Sequence, residues 1–143
     1  MQRFTLWPVV RIIIIFVYLT MMRIEVHTAW KVSYSNSMNW HSIASSSNGK
    51  YVYAVVNGGS IYASSDYGLH WNISLQNNRL WTSITTSSSG KYVYSCDNNT
   101  FSYFSINYGS SWNLTNGGVK CTHITTSSSG QYVYSAVYGG NFY

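Results

Sequence analysis

The chain repeats itself. Residues 40–53, reading Trp40-His41-Ser42-Ile43-Ala44-Ser45-Ser46-Ser47-Asn48-Gly49-Lys50-Tyr51-Val52-Tyr53, line up with residues 81–94 and again with residues 121–134. Gly49 and Gly90 stand 41 residues apart, and Gly90 and Gly130 stand 40 apart. Trp30, Trp71 and Trp112 keep the same step of 41. A period of this size marks a supersecondary unit that buries its apolar faces only by stacking on its neighbours.

Each unit reads as four short strands. The first holds residues 83–86 in the middle copy, and the turn Ser88-Ser89-Gly90 follows it. Glycine can take the positive φ such a turn asks for. The second strand, residues 92–95, is rich in aromatic and β-branched side chains, which suit a pleated surface. A hairpin signal comes next: Asn57-Gly58-Gly59, then Asp97-Asn98-Asn99, then Tyr138-Gly139-Gly140. That composition predicts a two-residue primed turn with both central residues at positive φ. Residues 60–63 or 101–104 form the third strand. The stretch ending in Trp71 or Trp112 then turns the chain into the fourth.

Four strands in about 41 residues is the size of one β-propeller blade. The expectation is therefore an all-β protein of propeller type. Residues 30–35 read as a lone fourth strand, 40–76 and 81–117 as blades, and 121–143 as a partial blade. That makes roughly three blades, whereas propellers close with about four to eight. The expected ring is incomplete, as part of a larger propeller, or is completed by a homo-oligomer in which the N-terminal strand finishes a C-terminal blade. Composition agrees: 17% aromatic and only 8% charged residues are the reverse of a disordered chain.

Residues 64–71 read Ser-Ser-Asp-Tyr-Gly-Leu-His-Trp, placing a serine, an aspartate and a histidine together. Residues 105–112 read Ser-Ile-Asn-Tyr-Gly-Ser-Ser-Trp in the corresponding place. Asp66 has become Asn107, and His70 has become Ser111. A catalytic carboxylate would not survive that exchange, but a turn residue would, since Asp and Asn both accept backbone N–H bonds. The repeated set is the structural set: Ser64, Asp66, Gly68 and Trp71, with Ser105, Asn107, Gly109 and Trp112. The pattern Ser-x-Asp-x-Gly-x-x-Trp resembles the Asp-box, or bacterial neuraminidase repeat. Residues 64–71 match its four positions, and residues 105–112 match with Asn for Asp. In residues 23–30 the tryptophan agrees and the rest departs. The resemblance implies a propeller hairpin of the kind found in sialidases, xyloglucanases, sortilin-type receptors and photosystem II assembly factors. It implies no particular activity.

A sialidase-like activity would require an arginine cluster, a Tyr–Glu pair and an acidic proton donor. Residues 30–143 contain one arginine, Arg79, and no glutamate. Their only carboxylates are Asp66 and Asp97, and glycoside hydrolysis ordinarily needs two that face each other. The expected role is non-catalytic: a binding or scaffold propeller module with a protein or glycan ligand. The alternative is an inactive portion of a sialidase-like or other glycoside hydrolase propeller. No residue is expected to be catalytic, to bind a cofactor or to ligate a metal. The repeated Tyr51/Tyr92/Tyr132 and Tyr53/Tyr94/Tyr134 fit strand packing better than a binding surface.

The net charge of +5 is spread thinly, with the cations of residues 30–143 at least 12 residues apart. Nucleic-acid binders cluster theirs, so no nucleic-acid partner is expected. Cys96 and Cys121 have no metal-ligand spacing, and two separate thiols are the simpler expectation, a disulfide remaining open for an exported chain. Residues 1–29 read as a signal-peptide-like or non-native hydrophobic leader. The apolar run over residues 12–22 is too short for a bilayer, which takes about 20 residues. Membrane contact would come only through this segment, and a genuine signal would make the protein secreted or membrane-anchored. Three glycosylation sequons begin at Asn72, Asn98 and Asn113; in a chain this rich in Asn, Ser and Thr they carry no weight.

Overall fold

The computed structural model describes residues 32–99, 101–115, 120–140 and 143. The leader expected over residues 1–29 lies outside them. The described residues are all-β: eight strands and no helix. The strands β1 (Trp40–Ser45), β2 (Val52–Ser64), β3 (Asn72–Thr86), β4 (Val93–Asp97), β5 (Ser102–Ser105) and β6 (Asn113–Leu114) pair antiparallel in chain order. A further pair, β7 (His123–Thr126) and β8 (Val133–Ala136), stands apart from that ladder.

Two strands are longer than expected because neighbouring strands fuse. β2 carries both the second and third strands of the first unit. β3 starts as the fourth strand of the first unit, pairing Asn72 with Ala63 and Ile73 with Tyr62. It ends as the first strand of the second unit, pairing Ile84 with Ser95 and Thr86 with Val93. The link between these halves stays extended because Leu80 and Arg79 pair with Asn57 and Gly59 through an irregular register.

Two expectations are corrected. The hairpin turns place a single glycine at positive φ, Gly58 at 78° and Gly139 at 67°, rather than the two residues of a primed turn. The lone fourth strand expected over residues 30–35 is also not formed in its described part, since β1 begins only at Trp40. No strand lies beside residues 32–35 to pair with their backbone, and a strand exists only by such pairing.

The core lies where the first unit meets the second. Tyr53, Val55, Ile61, Trp81, Ile84 and Val93 form one buried cluster, with Leu75, Tyr103 and Trp112 packed against it. Each fully buried side chain of this size contributes about 1.5–3 kcal/mol.

The contact between units is itself repeated. The Tyr53 hydroxyl donates to the Gly90 carbonyl at 2.7 Å, and the Tyr94 hydroxyl donates to the Gly130 carbonyl at 2.6 Å. The Ile84 amide donates to Ser42 Oγ, and the Ile124 amide to Ser83 Oγ, both at 3.2 Å. The Ser47 amide donates to Ser88 O and the Ser88 amide to Ser128 O, both at 2.9 Å. A Cβ on Gly90 would lie 2.7 Å from Tyr51 Cβ, and one on Gly130 would lie 2.7 Å from Tyr92 Cβ. Glycine is required there because the neighbouring tyrosine fills the space.

Cys96 and Cys121 form a disulfide, with Cα atoms 5.9 Å apart, which corrects the expectation of two thiols. The cause is the repeat. Cys96 falls one step after Val55, and Cys121 one step after Trp81. Val55 and Trp81 meet in the core between the first two units. The cysteines occupy the same pair of positions one interface further on.

Candidate functional site

The two Ser-x-Asp/Asn-x-Gly-x-x-Trp segments fold as near copies. Asp66 Oδ1 accepts the Ser64 hydroxyl at 2.8 Å and the His70 amide at 2.9 Å, while the Gly68 amide donates to Ser64 Oγ at 2.9 Å. In the second segment Asn107 Oδ1 accepts the Ser105 hydroxyl at 3.0 Å and the Ser111 amide at 2.9 Å, and the Gly109 amide donates to Ser105 Oγ at 2.9 Å. Asp66 Oδ2 lies 2.6 Å from His70 Nδ1. The His70 amide, then its ring, then the Ser64 hydroxyl hold the Asp66 carboxyl down at about 2, well below its ordinary 3.8. The order Ser64–Asp66–His70 is wrong for a nucleophilic triad. There the histidine must sit between serine and carboxylate to take the hydroxyl proton. Here the carboxylate sits between them.

Tyr67 and Tyr108 precede the glycines at φ 62° and 58°, with Gly68 and Gly109 at 80° and 77°. The sequence pointed to glycine, aspartate and asparagine for such backbone, and tyrosine there went unforeseen. The tryptophans tie each turn to a preceding segment. Trp112 Nε1 donates to Ser74 Oγ at 2.9 Å, and Ser74 Oγ donates to Gly109 O at 2.6 Å. Trp71 Nε1 donates to Ser33 Oγ at 3.0 Å, and Ser33 Oγ donates to Gly68 O. Ser33 and Ser74 are one repeat step apart.

Asp97, expected only as a hairpin residue, is the most committed polar group in the structure. It is fully buried. Its Oδ1 accepts the amides of Asn99 at 2.8 Å and Phe101 at 3.0 Å, and its Oδ2 accepts Arg79 Nη1 at 3.0 Å. The Arg79 guanidinium carbon lies 4.4 Å from the centre of the Phe101 ring and 5.1 Å from that of Tyr103. The carboxylate thus does the turn-closing work that positive φ does in the other two units. Composition named both charged residues, but no local signal paired them, because they sit on neighbouring strands 18 residues apart.

Two surface depressions remain. One, of about 390 Å³, is almost wholly apolar and is lined by Tyr34, Trp40, His41, Ile43, Ala54 and Trp71 among others. Its rings form a cluster, with Tyr34 and Trp40 centroids 5.7 Å apart and Trp40 and Tyr62 5.3 Å apart. The other, also about 390 Å³, is more polar and lies between the two turns. Tyr51 and Tyr108, with centroids 4.6 Å apart, line it together with Ser65, Asn72, Ser74 and Ser110. Among the described residues no group of three or more His, Cys, Asp or Glu could hold a metal ion. No described helix is long and apolar enough to cross a membrane.

No protein-family model and no curated protein matches the sequence. Solved structures do match. One is the GH74 enzyme of Niastella koreensis, 19% identical with a TM-score of 0.53, the match covering 66% of this chain and 14% of that one. Another is YCF48 bound to D1 peptide, 10% identical with a TM-score of 0.64, covering 78% of this chain and 39% of that one. Both are propellers. The fold is an incomplete β-propeller. The chain spans well under half the length of either of these propellers, and at such identities the likeness concerns the fold.

In a propeller, blades stack face to face around a central channel. Trp81 and Ile84 turn one face of the second blade onto the first. Trp40 and Ile43, one step earlier, line the apolar depression on the corresponding face of the first blade. The sheets do not close into a ring, so this face stays open.

Proposed function

We propose that the chain is a non-catalytic propeller module that binds an extended protein segment in the groove between its two Asp-box-like turns. The observation that carries this reading is the fate of the carboxylates. Residues 30–143 have two. Asp97 is buried against Arg79 and two amides, and Asp66 is tied to Ser64 and His70. Neither is placed to face a second carboxylate across a glycosidic bond. The groove offers what an extended backbone needs: hydroxyl and amide groups at Ser65, Asn72 and Ser110 around two aromatic rings. The relative YCF48 has been solved bound to a peptide, which supports the same ligand class here.

A second reading, an inactive portion of a glycoside hydrolase propeller, draws on the likeness to the GH74 enzyme. The Cys96–Cys121 disulfide supports residence in an oxidising compartment, in line with export of the protein.

The test combines an aryl-glycoside panel with selection from a displayed peptide library. We expect no turnover, and a selected peptide whose affinity falls about tenfold or more in Tyr108→Ala. Turnover that disappears in Asp66→Asn or Asp97→Asn would overturn the binding reading. Peptide binding indifferent to Tyr108→Ala would overturn the placement in the groove.

A further inference from the structure

We infer that the open face of the first blade docks the third blade of a second copy of this chain, head to tail, so that two copies close one ring. This is independent of the peptide groove above, which lies between the first two blades.

Both interfaces inside the chain pair one kind of face with another. The leading partner presents a Tyr-x-Tyr strand: Tyr51 and Tyr53, then Tyr92 and Tyr94. The following partner presents a glycine turn and an isoleucine: Gly90 and Ile84, then Gly130 and Ile124. One step before and one step after, the same two faces are bare. Ile43 is 67% exposed, where Ile84 is 4%. Trp40 is 36% exposed, where Trp81 is fully buried. A Cβ on Gly49 would meet only Tyr67, at 3.9 Å, where Gly90 and Gly130 are filled by tyrosines. At the other end Tyr132 is 58% and Tyr134 57% exposed, where Tyr53 is fully buried. The first blade has the empty glycine turn, and the third blade has the unused tyrosines.

Continuing the step, Tyr134 of one copy donates to Gly49 O of the other, and Tyr132 fills the space above Gly49. Ala136, one step after Cys96, meets Trp40, one step before Trp81. A small residue opposite a tryptophan suits that contact. One position departs from the pattern: where Ser42 and Ser83 offer a hydroxyl to the next isoleucine amide, the third unit offers His123. Ser33 supports the geometry from the receiving side. It bonds the first turn as Ser74 bonds the second, so it holds the place that a fourth-strand serine of the preceding blade takes. Contacts between two different faces close into rings when the rotation allows. Two copies of roughly three blades give about six, within the usual range of about four to eight.

Sedimentation of the full chain tests this. The wild type is expected at the mass of two chains. Ile43→Lys and Tyr134→Lys each alter one exposed position on opposite faces, and each alone is expected to halve the mass with an unchanged near-UV circular dichroism spectrum. An equimolar mixture of the two variants retains one intact face of each kind and is expected to recover the two-chain mass. A wild type that stays monomeric at every concentration, as it would if the face served another partner, overturns the inference. So do single variants that remain paired, a mixture that remains monomeric, or a ladder of masses above two chains.

Discussion

The Tyr53 hydroxyl reaches across the first blade boundary to the Gly90 carbonyl at 2.7 Å. Burial raises the pKa of this phenol well above its ordinary value, so it stays a protonated donor throughout the working range. Tyr53→Phe removes the donor and leaves a carbonyl at the interface without it. The expected cost is about 1–3 kcal/mol in urea unfolding. Tyr94→Phe breaks the equivalent bond at a partly exposed position and is expected to cost less. Equal costs would mean that the two interfaces are buried alike.

Asp97 closes its turn from inside the protein. Asp97→Ala removes a buried charge from Arg79 and acceptors from Asn99 and Phe101 together. Breaking one side of a buried pair costs about 3–5 kcal/mol. A loss under about 1 kcal/mol in chemical denaturation, the size typical of an exposed pair, would contradict the burial of this carboxylate.

The disulfide joins the second blade to the third across 25 residues. The chain-entropy relation gives about 3.5 kcal/mol for a loop of that length. Reduction with dithiothreitol is expected to lower the unfolding free energy by roughly that amount. Alkylation of two free thiols in the oxidised, folded protein would show that the bridge is absent.

Acid should reveal Asp66. Its folded-state pKa lies below the ordinary carboxylate value, at about 2 against 3.8. Its contribution to stability is therefore fully present above 3.8 and is lost as the pH falls towards and through about 2. Asp66→Asn keeps an acceptor for Ser64 and the His70 amide, as Asn107 does in the second turn, but cannot titrate. Its stability should fall less steeply than that of the wild type over this window. Identical acid profiles would remove Asp66 from the account.

The repeat exposed the strand count, the glycine turns and the all-β class, because these depend on local spacing. Asp66 and Asn107 were placed in turns by comparing two copies, and the hydrogen bonds around them have the same pattern. What escaped was what depends on distance through space. Arg79 and Asp97 give no periodic signal, and the bridge between Cys96 and Cys121 became readable only once Val55 and Trp81 were seen to touch. Tyr67 and Tyr108 at positive φ run against residue preference, and the surrounding hydrogen bonds hold them there. Residues 32–35 have the sequence of a strand but lack the neighbour that would make them one.

The blade-to-blade rule is tested most directly by extending the disulfide one step further. Val55 with Trp81 and Cys96 with Cys121 are successive versions of one contact, and the next version pairs Ala136 of one copy with Trp40 of the other. A chain carrying both Trp40→Cys and Ala136→Cys, oxidised in dilute solution, should become a covalent pair. Peptide mass mapping should show position 136 of one chain joined to position 40 of its partner. Recovery of monomers with both introduced thiols free would contradict the rule at the open faces.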